Sequence, residues 1–317
     1  MVGYDPSQSV QLSQTEILLA GGLSGAASRA VGQPLDVLKI RFQLQIEPIK
    51  RLHVSKYQGL YQATGRIIRE EGLRALWKGH VPAQFLSILY GLSQFGLFEL
   101  ITKQSCDYFP SAYSTVYLPV THFVCGAMSS SLTTLIVQPL DVLRTRFVAQ
   151  GEPKVYTGMV SAALMIRRQE GLTAFYRGSV PALSTVAPQM GLQFGSYALF
   201  TATWKNTFGR STSNRPGAVE SMICGSGAGV ASKLVVYPMD LVKKRLQVQG
   251  FEAARVSFGE VRSYRGMVHC LLMTLREEGL KGIYKGLTPS LLKAATVAGV
   301  HLSVYEQVCN LFITWKH

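Results

Sequence analysis

Pro34-Leu-Asp36-Val-Leu-Lys39-Ile-Arg41 is followed, thirty residues on, by Glu71-Gly72-Leu-Arg-Ala-Leu-Trp77-Lys78-Gly79. The same pair of motifs returns as Pro139-Leu-Asp141-Val-Leu-Arg144-Thr-Arg146 with Glu170-Gly171-Leu-Thr-Ala-Phe-Tyr176-Arg177-Gly178. It returns again as Pro238-Met-Asp240-Leu-Val-Lys243-Lys-Arg245 with Glu278-Gly279-Leu-Lys-Gly-Ile-Tyr284-Lys285-Gly286. The prolines stand 105 and 99 residues apart, so the chain of 317 residues reads as three tandem copies of one unit, 1–113, 114–214 and 215–317.

Each unit reads as long helix, short helix, long helix. The first long helix begins near Gln14, Pro119 or Gly217, carries small residues such as Gly21, Gly22, Gly25, Gly225 and Gly229, and runs into the proline motif. Small residues at this spacing let helices approach closely in lipid. Amphipathic segments follow at Leu60–Glu70, Met159–Glu170 and Met267–Glu278. A second apolar helix covers about Val81–Lys103, Val180–Lys205 and Leu287–Trp315, each long enough to cross a hydrocarbon layer of about 30 Å. The fold expected is an all-α membrane protein: six transmembrane helices related by a pseudo-threefold axis, with three short amphipathic helices on one side. Three internal copies close the ring, so a monomer is expected.

Composition agrees with a membrane chain. Hydrophobic residues make up 47% and charged residues 16%, below the roughly 25% usual for soluble domains, and mean hydropathy is +0.17. Disordered, collagen-like and coiled-coil classes are excluded by the plentiful apolar residues, by glycines without a period of three and by the absence of heptads. The net charge of +14 raises the question of nucleic acid, but 24 of the 32 cations fall in three blocks, 34–79, 139–178 and 238–286, which alternate with apolar stretches. Such blocks read as three loops on one membrane face, and both ends of the chain then lie on the other; no nucleic-acid partner is expected. Five widely spaced cysteines without a C-x-x-C indicate neither a disulfide framework nor a metal site. No signal or transit peptide is visible at the start. Gly225-Ser-Gly227-Ala-Gly229 approximates a dinucleotide turn, but no strand precedes it. Phosphate-loop, metalloprotease and serine-hydrolase motifs are missing, so neither an enzyme nor a cofactor is expected.

The pattern P-x-D-x-x-[KR]-x-[KR] followed by E-G-x-x-x-x-[WY]-[KR]-G, three times in one chain, resembles the mitochondrial carrier family, and the resemblance covers the whole length. It implies a solute exchanger of the inner mitochondrial membrane, with the basic loops toward the matrix and both termini toward the intermembrane space. It also implies a matrix-side ring of ion pairs, Asp36 with Arg144, Asp141 with Lys243 and Asp240 with Lys39, braced by Gln43 and Gln247. Pro34, Pro139 and Pro238 would kink the helices above that ring. The Glu-Gly turns and the motif-ending glycines, Gly72, Gly79, Gly171, Gly178, Gly279 and Gly286, would present backbone N–H groups to a lipid phosphate, cardiolipin in the family. Residue by residue, alternatives stay open: interfacial anchors for the charges, a helix end for the prolines.

Helical arithmetic locates a central site. Arg29, Thr134 and Lys233 precede the three aspartates by seven residues, about 10 Å along the same face. On the other helices the resemblance places contact positions at Leu86 and Ser87, Thr185 and Val186, and Lys293 and Ala294, and steps of four extend them to Tyr90, Gln94, Gln189, Gln193, Val297 and His301. Arg29, Lys233 and Lys293 in an apolar bundle are functional candidates, with snorkelling to a headgroup as the alternative. Three cations, Tyr90 and three glutamines suit an aromatic ligand carrying phosphates. Thiamine diphosphate meets that description, and so do nucleotides. Longer stretches, MVGYDP at the start, GHVPAQ around His80, HFVCG around Cys125, QGEPKVY from Gln150 and CGSGAG from Cys224, resemble the branch of the family that carries thiamine diphosphate. A nucleotide carrier of the same fold is the alternative cargo reading, and a membrane proton leak is the alternative of another class. At the opposite end the family's [FY]-[DE]-x-x-[KR] reads Phe98-Glu99-Leu-Ile-Thr102, Tyr197-Ala198-Leu-Phe-Thr201 and Tyr305-Glu306-Gln-Val-Cys309, without its cations, so no strong ionic lock is expected there.

Overall fold

The computed structural model describes residues 13–46, 56–108, 118–208, 218–251 and 262–315. The stretch MVGYDP and the unit boundaries at 113/114 and 214/215 lie outside the described residues. Among these, nine α-helices and no strand occur: α1 (Gln14–Leu44), α2 (Leu60–Glu71), α3 (His80–Tyr108), α4 (Leu118–Ala149), α5 (Met159–Gln169), α6 (Ser179–Phe208), α7 (Ala218–Gln247), α8 (Met267–Ile283) and α9 (Leu287–Trp315). Each unit therefore contains long, short and long helices in that order.

Pro34, Pro139 and Pro238 sit inside α1, α4 and α7, which continue about ten residues further, so the prolines do not end their helices. Proline lacks the N–H that would bond the carbonyl four residues back. For Pro34 that carbonyl is Ala30 O, and it accepts instead from Trp77 Nε1 at 3.0 Å. A further proline, Pro188, lies inside α6. One turn of 3₁₀ helix follows the Glu-Gly step in two units, at Leu73–Trp77 and Leu172–Tyr176. In the third, α8 runs on past its Glu278 end, with Gly279 breaking helical geometry at φ 69°.

The long helices pack between units: α1 along α9, α3 along α4, α6 along α7. At the end carrying the proline motifs, α1, α4 and α7 converge, and Val37, Ile40, Leu44, Val148, Ala149 and Val248 form a buried knot. Each short segment docks below. In the first unit Ala63 and Ile67 of α2 meet Leu38, Phe42 and Tyr57. In the second, Ala162 and Ile166 of α5 meet Leu143, Tyr156 and Phe251. The long helices otherwise expose apolar side chains such as Leu18, Leu92, Leu199 and Met222, a surface that calls for an apolar surrounding. Among the described residues, two stretches, Leu73–Tyr108 and Val120–Ala149, are long and apolar enough to cross a membrane. The other long helices are diluted by polar residues, in α1 by Arg29, Asp36, Lys39 and Arg41 and in α7 by Lys233, Asp240 and Lys243.

The motif-ending glycines explain how the units interlock. Gly79, Gly178 and Gly286 have φ of 76°, 80° and 82°. A Cβ there would stand 3.0 Å from Arg144 O, 2.9 Å from Lys243 O and 2.8 Å from Lys39 O respectively. Each glycine thus lets the start of α3, α6 or α9 press on the backbone of the adjoining unit's proline-motif helix.

Candidate functional site

The three aspartates face one another across the convergence of α1, α4 and α7. Arg144 Nη2 lies 2.5 Å from Asp36 Oδ2, Lys243 Nζ 2.8 Å from Asp141 Oδ2 and Lys39 Nζ 3.8 Å from Asp240 Oδ2. The ring is uneven. Gln247 Nε2 donates to Asp141 Oδ2 at 2.8 Å, and Lys244 Nζ contacts Asp141 Oδ1, Thr145 Oγ1 and Gln247 Oε1, each at 2.9 Å. Gln43 makes no such brace: it is fully buried and neither amide atom has a hydrogen-bond partner. Its own unit's cation, Lys39, sits 3.8 Å from the Asp240 carboxylate, whereas Gln247 joins Asp141 to Lys244.

Above this ring the cations of the expected central site divide. Lys293 Nζ bonds both oxygens of Asp36, at 2.8 and 2.7 Å. Lys233 Nζ bonds Asp240, two turns along its own helix. Neither stands unpaired over the cavity, because an ammonium removed from water takes the nearest carboxylate. Arg29 Nη1 donates to Ala83 O at 3.3 Å. Arg29, Lys293 and Ser87 line a cavity of about 430 Å³ with Gly21, Gly25, Ser28 and Gln84. Gln84 carries no expectation from the sequence. Thr134, Ser87 and Thr185 turn their hydroxyls to carbonyls of their own helices, Ser130 O, Ala83 O and Ala182 O. Gln94 Nε2 bonds Ser129 Oγ at 3.0 Å. Gln189 is half-buried, while Tyr90, Gln193 and His301 are exposed, and none of the four lines that cavity.

Below the ring lies a second charged layer that the motif spacing alone does not assign. Arg41 forks onto both oxygens of Glu71 at 2.6 and 2.7 Å, Arg146 onto Glu170, and Arg245 onto Glu278. The next motif cation joins each carboxylate: Lys78, Arg177 and Lys285. The same arginines reach the adjoining unit's main chain, Arg41 to Val148 O, Arg146 to Gln247 O and Arg245 to Gln43 O. Burial opposes ionisation of Glu71, yet the Arg41 fork and the Lys78 ammonium outweigh it and hold its carboxyl below the ordinary carboxylate value. The residue before each proline fastens this layer: Gln33 and Gln138 donate to Lys78 O and Arg177 O at 2.9 Å, and Tyr237 to Lys285 O at 2.8 Å. The one sequence signal for all of this is that both the arginine and the glutamate recur three times at a fixed place in the unit.

At the opposite end, Glu99 and Glu306 take part in no ion pair among the described residues. Among the described residues, ion pairs join the long helices at the proline-motif end alone.

A closed ring of charge below a cationic cavity, built three times over from one unit, defines a carrier-type fold. The family model for mitochondrial carrier proteins matches residues 10–108, 116–208 and 214–316, and the chain belongs to the mitochondrial carrier family. Its relatives include the mitochondrial thiamine pyrophosphate carrier of Bos taurus, 48% identical over 314 residues and covering 98% of both chains. That of Homo sapiens is 47% identical over 317 residues, covering 98% of this chain and 97% of its own. The mitochondrial thiamine diphosphate carrier 1 of Zea mays is 40% identical over 328 residues, covering 97% and 96%.

Proposed function

We propose that this chain exchanges thiamine diphosphate across the inner mitochondrial membrane by alternating access, against a related phosphate ester or nucleotide. The observation that carries the reading is the agreement between end-to-end relatives named for that cargo and a cavity lined by Arg29 and Lys293. Six long helices span the membrane about a pseudo-threefold axis as one body, with the proline-motif end toward the matrix and both termini toward the intermembrane space. Three units in one chain make a monomer sufficient.

The shared cations suggest how binding is coupled to opening. Lys293 and Lys233 each hold a gate aspartate. A diphosphate seated at Arg29 competes for those ammonium groups, since phosphate oxygens make strong charge-assisted bonds with Arg and Lys. Drawn to the cargo, Lys293 leaves Asp36 to Arg144 alone, and Lys233 leaves Asp240 to a cation 3.8 Å away. The ring is then weaker by two contacts while the cargo's charge is neutralised. Two hollows on the gate side support lipid contact. One, of about 480 Å³, joins Gly178 before α6 to Gly266 before α8, with Arg177 and Arg265 beside it. The other, of about 650 Å³, joins Gly59 before α2 to Gly286 before α9. Helix N-termini beside cations suit an anionic lipid such as cardiolipin.

Uptake into proteoliposomes tests the cargo: saturable, exchange-dependent uptake of thiamine diphosphate is expected. Saturable uptake of ADP with none of thiamine diphosphate replaces the cargo, and proton flux without solute exchange replaces the activity.

A further inference from the structure

Farther from the gate, α3, α4 and α6 enclose a second pocket of about 310 Å³, walled by Gln94, Phe98, His122, Phe123, Met190 and Phe194. It lies on the inner face of the bundle. Ala127 and Ser130, which also line it, precede Thr134 by seven and four residues, and Thr134 precedes the gate residue Asp141 by seven, so all four share one face of α4. The walls are aromatic. The Phe98 and His122 rings stand 6.0 Å apart at 54°, Phe98 lies over Gly126, which has no side chain to displace it, and Phe194 is 66% exposed. One polar atom is left over: Gln94 Nε2 is spent on Ser129 Oγ, and Gln94 Oε1 is buried without a donor.

We infer that this pocket is the ring subsite of the cargo, taking a flat, amine-bearing aromatic heterocycle between the phenylalanines while the phosphates sit at Arg29 and Lys293. The inference deepens the proposed function and rests on it for the choice of cargo. Its geometric warrant is distance. Ser87 beside the cationic cavity and Gln94 in the aromatic pocket are seven residues apart on α3, on one face and about 10 Å along the axis. That is the separation between phosphates and far ring in an extended aromatic diphosphate ester. Its chemical warrant is the orphaned Gln94 Oε1, which an exocyclic amine satisfies and a lipid acyl chain does not. Tyr90, which the sequence reading offers as the stacking ring, stands one turn before Gln94, outside the lining of both pockets.

The test measures apparent affinities of the purified full chain for two probes, thiamine diphosphate and inorganic pyrophosphate, by ligand-induced thermal stabilisation. The proteins are wild type, Phe98→Leu, Phe194→Leu and Gln94→Leu. A stacked ring or a buried acceptor is worth roughly tenfold in affinity, so each variant should lose about that much for thiamine diphosphate and nothing for pyrophosphate. Equal losses for both probes, or no loss for either, overturn the subsite, as does a wild type that prefers neither thiamine diphosphate nor ADP to pyrophosphate. If wild type ignores thiamine diphosphate but prefers ADP, and the variants lose that preference, the cargo reading fails and the subsite stands. Phe194→Leu alters an exposed ring and serves should Phe98→Leu not fold.

Discussion

Lys293 grips Asp36 from the cavity side while Arg144 grips it from the next unit, so one carboxylate answers both to the cargo and to the gate. Replacing Lys293 by Ala should therefore cost diphosphate uptake far more than uptake of uncharged analogues. A charge-assisted hydrogen bond is worth about 1.5 to 3 kcal/mol, so a rise in KM of ten- to a hundredfold is expected in proteoliposomes. Equal losses for charged and uncharged cargo would make Lys293 structural. The three gate aspartates should also differ. Asp141→Asn strands Lys243 and Lys244 together, whereas Asp240 is held by a loose Lys39 and by Lys233. Leaving buried charges without a partner costs about 3 to 5 kcal/mol. Asp141→Asn should lower the melting temperature of the empty protein by about 5 °C or more, and Asp240→Asn by less; the reverse order would deny Lys244 its part. The pairing of Asp36 with Arg144 was legible from the motif and the family likeness. The role of Lys244 was not, because Ile40 and Thr145 hold its place in the other units and nothing in a lone extra lysine says which carboxylate it reaches.

A proline inside a helix and a glycine at positive φ are local events, and for that reason the elements were the most legible level. The start expected for α1 and both ends expected for α3 and α9 fall within a few residues of those observed. The 3₁₀ turns at Leu73–Trp77 and Leu172–Tyr176 were not legible, since five residues give no period to read. Nor was the docking of the short helices, whose buried link, Arg41 to Glu71, joins residues thirty apart across a connection of no fixed length. That link has a pH signature. The Glu71 carboxyl is held below its ordinary value, so its contribution is complete at neutral pH and is lost as pH falls from the ordinary glutamate range, near 4.3, through the lower folded value. Melting curves of detergent-solubilised protein between pH 7 and pH 3 should show this acid loss in wild type. Glu71→Gln should be less stable at pH 7 and flatter toward acid, because one titrating group has been removed. A variant whose acid profile parallels wild type would mean that the loss arises elsewhere.

Across the whole molecule the two ends are built differently. At the gate end, arginines, carboxylates and main-chain carbonyls run from each unit into the next until the ring closes: Arg41 to Val148, Arg146 to Gln247, Arg245 to Gln43. At the far end, Thr102, Thr201 and Cys309 stand where the family pattern has its cations and Ala198 stands where it has an acid, so Glu99 and Glu306 have no cation three residues on. The empty protein should then rest with its cavity open away from the basic loops, and reactivity can report that directly. In a chain whose five cysteines are replaced, Gln94→Cys in the aromatic pocket should react with a membrane-impermeant thiol reagent added from the face opposite those loops. Ile40→Cys, in the knot where α1, α4 and α7 meet, should stay unreacted from either face until cargo is supplied, because the side chain it replaces is 3% exposed. Slower labelling at Gln94→Cys and faster labelling at Ile40→Cys on adding thiamine diphosphate would place both changes on one cycle of occupation and opening. Prompt labelling at Ile40→Cys in the empty protein would instead mean that the charged ring does not hold the bundle shut, and that the uneven links at Asp240 and Gln43 are gaps in the seal.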